Sequence, residues 1–500
     1  MMGTEDRPRA GYFVALQQLA TLLVHFAQVF ILSRILAATD YGVVAMAGSI
    51  FALAAVFKDF GFSTSTIQSE EIDPQDSRNL FWVGLFSSCA IVTVILVSAP
   101  LFSAWFREPI VAPLLCVFAV TFLIDSVGNQ PTALAQRAFL FQRLAIWKIS
   151  GLFVGLLTGI GLALNGWGPW SIVSINCVEA VITTLGAFII TGFRPGWIAD
   201  LRRTKEHLKF GGVLTIGGLL SYAGSNIDRL LIGRYLGAES LGYYTRAHSL
   251  LILPMSKMLS GFKRFNIASL SRVATQPAEF RASVSKILIW YLMVCSLIVV
   301  PLSACSEDLI RFAMGDKWLP VAPLFVILAP YIWVHVTSMI CYLAHISKGD
   351  IKGLTSYYAI NFVLLTGCLA ASVSFGLKWV VIVYCLVGLI GVQSTLVYFA
   401  WRRQFIDLKS FCGLYLVNAA ISCATFAVLK GLQVWIFHSS APWINLLLGV
   451  AVSIPLMIAL YSLIPDCRSV LATFRIALFS TATSILRCIP VSPRKVNHTR

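Results

Sequence analysis

Apolar runs of about 20 residues recur from one end of this chain to the other, and each is long enough to cross a hydrocarbon core of roughly 30 Å. Composition agrees with that reading. Of 500 residues, 58% are hydrophobic and 12% charged, where a soluble protein would carry about 25% charge. The expected fold is an all-α polytopic membrane protein. Twelve spans fall at 11–36, 42–66, 80–105, 111–135, 144–165, 168–193, 210–236, 241–265, 284–305, 320–347, 354–375 and 380–401, and two more at 411–431 and 442–463. No small-residue cleavage site follows the first apolar run, so that span is expected to be retained.

The spans are organised by a repeat. Ile31-Leu-Ser-Arg34-Ile-Leu36-Ala-Ala38-Thr-Asp-Tyr41-Gly42 returns two hundred residues later as Leu231-Ile-Gly-Arg234-Tyr-Leu236-Gly-Ala238-Glu-Ser-Leu241-Gly242. An apolar run lies on either side of each copy, so each reads as two membrane helices joined by a tight turn with glycine at the bend. Two later loops echo each other as well: Pro74 with Asp76, and Pro277 with Glu279, are helix-start signals before the third and ninth spans. Parallel repeats of this kind build transporters, with two similar bundles flanking a substrate path. The expected organisation is a six-helix lobe over 1–193, a linker over 194–209 and a second six-helix lobe over 210–401. Two additional helices within 402–463 and a basic tail over 464–500 follow. In the tail, Val470, Leu471, Phe474 and Leu478 fit one side of a helix lying on the membrane, and disorder after Pro490 is the other reading.

The formal charge of +16 follows the positive-inside rule rather than pointing to nucleic acid. Most Lys and Arg gather in the loops on the side of the two termini, which places both termini in the cytoplasm. Arg34, Arg234, Arg246 and Lys317 fall toward the minority side. The 12 cysteines lie mostly inside spans and form no C-x-x-C pair, so neither a disulfide framework nor a metal site is expected.

Ionisable groups inside a bilayer cost roughly 2.5–3.5 kcal/mol each, so each one needs a reason. Thr21, His25 and Gln28 share a face of the first span, and Ser221, Ser225 and Asp228 occupy the equivalent places in the seventh. Both stripes are expected to face the space between the lobes. Arg229 beside the second stripe is the leading anion-binding candidate, against the alternative of an ion pair with Asp59 or Asp125. Asp59, Asp125 and Glu179 are candidates for coupling or gating. Their blander readings are snorkelling for Asp59 and an interhelical hydrogen bond for Glu179. Arg34 and Arg234 are read as helix-end anchors, with a phosphate contact at the outer mouth as the functional alternative. His335 and His345 are read as packing residues. There is no P-loop, nucleophile elbow or paired acidic loop motif, and no cofactor is expected. Transport rather than catalysis follows.

At this point a family resemblance is visible. The run Arg34 to Met46, Lys58-Asp-Phe-Gly-Phe62, Gln130-Pro-Thr-Ala-Leu134-Ala-Gln-Arg137, Asn226 to Gly237 and Leu241-Gly-Tyr-Tyr-Thr-Arg-Ala247 resemble the signature of oligosaccharide (Wzx-type) flippases. These belong to the multidrug/oligosaccharidyl-lipid/polysaccharide exporter superfamily. The resemblance implies two six-helix lobes, a central cavity and alternating access. It implies a polyprenyl-pyrophosphate-linked oligosaccharide as cargo, with Arg229 the nearest match to the family's basic cavity residues. Membrane lipids, a polysaccharide polymerase and a chain-length regulator would be its partners, and a bacterial inner membrane its location. An ion-coupled drug exporter of the same fold and a membrane glycan polymerase are the rival readings.

Overall fold

The computed structural model describes residues 6–55, 66, 73–197, 205–435, 441–465 and 467–468, and the described residues are helices joined by short turns. In chain order they are α1 (Asp6–Ile35), α2 (Ala38–Ala55), α3 (Pro74–Phe106), α4 (Val111–Arg137), α5 (Phe141–Leu164) and α6 (Trp170–Thr191). A long α7 (Lys205–Arg272) follows, then α8 (Pro277–Ala304), α9 (Ser306–Met314), α10 (Val321–Leu328), α11 (Tyr331–Ser347) and α12 (Ile351–Ser372). The last are α13 (Leu377–Leu386), α14 (Gln393–Arg402), α15 (Leu408–Trp435) and α16 (Pro442–Ser462). Among the described residues, ten helices are long and apolar enough to cross a membrane, or 11 if α10 and α11, bent by 46°, form one broken span. Each of the fourteen expected spans overlaps helix in its described residues, and the tenth is broken at Ala329 and Pro330. The seventh and eighth are two arms of α7, and the second is the shorter apolar α2.

The turn inside the repeated motif departs from expectation. The first copy bends at Leu36 and Ala37, where the Ala37 N–H donates to Asp40 Oδ2 at 2.9 Å and starts α2. The second bends at Gly237, whose φ of 82° is the left-handed conformation that costs glycine nothing. Gly42 and Gly242 are not at the bends but inside the helices that follow. Their reason is packing. A Cβ on Gly42 would fall inside the Ala238 carbonyl, and one on Gly242 inside the Ala38 carbonyl. Each motif thus reads Ala-x-x-x-Gly, and the two copies cross reciprocally with backbones touching, as small residues allow between membrane helices. Val43, Met46, Ala47, Leu241, Tyr244 and Ala247 bury themselves around that crossing.

Small residues also set the packing inside the first lobe. Gly151, Gly155 and Gly159 form a strip on α5 against α6, and a Cβ on Gly155 would sit 2.7 Å from the Ile175 carbonyl oxygen. Gly155→Leu is expected to destabilise the lobe by about 1–3 kcal/mol through overpacking. Gly161→Leu on the same helix, where nothing lies within 4 Å, should leave the thermal unfolding midpoint of the detergent-solubilised protein unchanged. The linker begins fastened to the first lobe: Trp82 Nε1 donates to the Gly196 carbonyl at 2.6 Å. The additional helices α15 and α16 dock on α8 through Ile289, Met293, Ile421 and Met457. A polar knot within that interface has Tyr461 Oη donating to Asn418 Oδ1 at 2.6 Å and Ser296 Oγ donating to the same oxygen at 3.1 Å.

Candidate functional site

Below the Gly42/Gly242 crossing, α1 and the trailing arm of α7 enclose a cavity of about 160 Å³ between the lobes. Thr21, His25 and Gln28 line it from α1; Arg246, Ser249 and Leu250 line it from α7. Helical spacing explains both walls. Residues at i, i+4 and i+7 share a face, as do those at i, i+3 and i+4. Thr21 returns its hydroxyl to the Gln17 carbonyl at 2.8 Å, which satisfies the side chain within α1. His25 Nδ1 lies 3.1 Å from the Thr21 carbonyl oxygen.

Arg246 is the charge in this cavity. Its guanidinium stacks over the Tyr41 ring at 4.0 Å, and its Nε is buried without a hydrogen-bond partner. Among the described residues no carboxylate lines the cavity or pairs with Arg246. A cation–π contact of this kind is worth about 2 kcal/mol when desolvated, less than the cost of holding a charge there. Among the described residues the guanidinium has no hydrogen-bond partner, and its planar fork fits an anion. Sequence reasoning counted Arg246 with the outer-side charges and missed it. The available signal was its place inside the expected 241–265 span, where an ionisable residue is costly.

In the second stripe, Asp228 is placed differently from Gln28, its counterpart in the first. Asp228 is 1% exposed and accepts a hydrogen bond from Tyr244 Oη within its own lobe. Arg229 turns into a separate cavity of about 320 Å³ inside the second lobe, donating to Asn226 Oδ1 at 3.1 Å. It makes no ion pair with Asp125 among the described residues. The helix bearing Ser221 and Ser225 is described, but their side chains lie outside the described residues, as does Asp59. Asp125 is half-buried on α4 and lines neither cavity. Glu179 on α6 forms an ion pair with Lys148 on α5. His335 lines the second-lobe cavity with its Nε2 at 3.3 Å from Ser256 Oγ, and His345 bonds Asp350 Oδ2 at 3.1 Å at the far end of α11.

Above the crossing, the second lobe caps the first. In the 3₁₀ turn Asp316–Trp318, Lys317 Nζ donates to the Arg34 carbonyl at 2.9 Å and the Leu36 carbonyl at 2.7 Å. Trp318 Nε1 donates to the Ser33 carbonyl at 2.7 Å. These are the open carbonyls of the last turn of α1, where a cation also meets the negative end of the helix dipole. Partial burial holds the Lys317 ammonium below its ordinary pKa, while the Asp40 carboxylate opposes that shift. Arg34 donates to the Phe312 carbonyl at 2.8 Å, and Tyr41 packs edge-on to Trp318 with ring centres 5.4 Å apart. Arg34 therefore joins the two lobes in this structure. Arg234, its repeat partner, lies 6.0 Å from the Trp105 ring centre in the first lobe.

Comparison with known proteins places this architecture. Residues 31–323 match the family model described as polysaccharide biosynthesis protein. The lipopolysaccharide biosynthesis protein WzxC of Escherichia coli (strain K12) is 24% identical over 305 residues, 60% of this chain and 62% of that protein. The chain thus matches somewhat under two thirds of that relative's length. The teichuronic acid biosynthesis protein TuaB of Bacillus subtilis (strain 168) is 22% identical over 83% of this chain and 87% of its own length. Among solved structures, the lipid II flippase MurJ in its inward closed conformation superposes with a TM-score of 0.72 at 14% identity, covering 90% of this chain and 98% of that one. An inward-facing multidrug resistance MATE transporter of the MOP superfamily gives 0.60, over 76% of this chain and 94% of that one. A multi-pass, all-helical membrane architecture with the motif of residues 31–42 at its centre, matched by that family model over more than half its length, makes this chain a member of the polysaccharide biosynthesis protein family.

Proposed function

We propose that this protein is a flippase. It moves a polyprenyl-pyrophosphate-linked oligosaccharide repeat unit from the cytoplasmic to the periplasmic leaflet, by alternating access, for surface polysaccharide synthesis. The supporting observation is Arg246: a guanidinium with no carboxylate partner among the described residues, facing a polar stripe in a cavity between two membrane lobes. A glycan head group cannot cross hydrocarbon unaided, because each unpartnered hydroxyl costs several kcal/mol and a pyrophosphate far more. The cavity supplies the opposite charge and hydrogen-bonding groups, while the polyprenyl chain stays in lipid. A cation-drug exporter would need carboxylates where this cavity has Arg246 and His25. The names of the relatives support this: one is a lipopolysaccharide biosynthesis protein, one a teichuronic acid biosynthesis protein, and the fold neighbour is a lipid II flippase. A polymerase and a chain-length regulator would receive the cargo.

In this reading the termini are cytoplasmic and the motif end of the lobes is periplasmic, and the crossing with Lys317 and Trp318 forms the closure of that end. Cargo exit requires both to part. Lys317→Ala removes two charge-assisted hydrogen bonds from the closure, and labelling of a cysteine placed at Ser33 by a periplasmic thiol reagent should rise about tenfold. The functional reading itself is tested by single cysteines at Thr21, Gln28 and Ser249, labelled in membranes with impermeant reagents. Access from each side in turn is the expected result. Positions sealed from water on both sides would rule out a transport path there.

A further inference from the structure

The cavity at Arg246 suits a phosphate-sized group, and the oligosaccharide needs somewhere else to go. We propose that the second-lobe cavity around Arg229 is a sugar subsite that selects a sugar carrying a carboxylate. This rests on the flippase reading and extends it to the composition of the cargo. The cavity of about 320 Å³ is within the range of ligand sites, roughly 300–1,000 Å³. Tyr331, Tyr358 and Tyr384 supply aromatic faces for the apolar side of a pyranose, and Asn361 supplies an amide for its hydroxyls. Asn361 is 7% exposed, and its Oδ1 is buried without a hydrogen-bond partner, an acceptor waiting for a hydroxyl.

The charge arrangement decides the class of sugar. Arg229 lines the cavity, whereas Asp228 does not; its carboxylate lies behind the wall, held by Tyr244. The Asp228 carboxylate thus accepts from Tyr244 and does not occupy the guanidinium donors of Arg229. The Nε of Arg229 is buried and unpartnered, leaving a fork that fits a carboxylate. A metal ion or cationic drug would be repelled by it, and a neutral sugar would leave the charge unused. The repeat sharpens the point. Two hundred residues earlier, Val29 stands for Arg229, Gly48 for His248 and Gln28 for Asp228. The same scaffold therefore exists without this site, and only the second copy was furnished with it.

The test uses the full-length purified protein and three probes: glucuronate, glucose and inorganic pyrophosphate, each titrated calorimetrically. Wild type should bind glucuronate at least about tenfold more tightly than glucose. Arg229→Ala should erase that preference while leaving pyrophosphate binding intact. Arg246→Ala should do the reverse. Saturation-transfer NMR of glucuronate against glucose on wild type reads the same preference without any variant, should Arg229→Ala fail to fold. Equal binding of the two sugars, or an undiminished preference in folded Arg229→Ala, overturns the proposal. So does loss of pyrophosphate rather than glucuronate in that variant, which would make Arg229 a phosphate ligand. If pyrophosphate ignores Arg246 but the sugar preference holds, the pyrophosphate site fails and the subsite stands.

Discussion

Gly42→Ala and Gly242→Ala should each cost far more than a methyl group in a membrane helix ordinarily does. At both positions the added carbon meets a backbone carbonyl of the opposite lobe, which cannot rotate aside as a side chain would. Overpacking of a well-filled interior typically costs about 1–3 kcal/mol, and with a backbone as the obstacle the upper part of that range is expected. The lobes must separate at the crossing or tilt against each other. Because both glycines serve one contact, the double variant should lose less than the sum of the two singles, as coupled sites do. Gly48→Ala on the same helix as Gly42 has nothing within 4 Å and serves as the control. Thermal unfolding in detergent, followed by the monodisperse fraction on a sizing column, reads the effect. Unfolding midpoints for Gly42→Ala and Gly48→Ala that coincide would show that the crossing is not a stabilising contact.

The second large effect belongs to Arg246. Replacing it with Ala removes the guanidinium from the cavity and deletes its stack on Tyr41. Stability should change little, because Arg246 has no ion-pair partner among the described residues to strand in the interior; the usual penalty for breaking a buried pair does not arise. Binding of a pyrophosphate head group should fall about 10- to 100-fold, the worth of a charged hydrogen-bond set. Surface polysaccharide export in a deletion strain should fail. Arg246→Lys keeps the charge but loses the planar fork and the ring stack, and partial recovery is expected. A folded Arg246→Ala protein that restores export fully would remove the residue from the mechanism.

How much of this was legible in the chain differs by residue. Periodicity and hydropathy locate the helices because each span must satisfy its own backbone in lipid. The stripe Thr21, His25 and Gln28 was readable because i, i+4 and i+7 fall on one face whatever the tertiary structure, and it lines the inter-lobe cavity. In its repeat equivalent, Asp228 departs from that pattern. The same spacing at Asp228 delivers a carboxylate to Tyr244 inside the lobe, since the two arms of α7 fold back around Gly237 and bring Tyr244 alongside. Glycine at a bend and glycine at a close crossing look alike in one sequence, which is why Gly42 and Gly242 were assigned to the turn. The closure at Ser33 was beyond local reasoning altogether. Lys317 and Trp318 reach carbonyls more than 280 residues away, and backbone carbonyls leave no mark in the residue letters.

In the proposed mechanism the cavity between the lobes carries an anionic glycan-lipid head group across the membrane on Arg246. Purified protein reconstituted into liposomes with a fluorescent polyprenyl-pyrophosphate oligosaccharide tests it, with membrane-impermeant quenching of the outer leaflet as the readout. Wild type should equilibrate the lipid between leaflets, and Arg246→Ala should leave it where it was placed. Equal translocation by the two proteins, or none above protein-free liposomes for wild type, would contradict it.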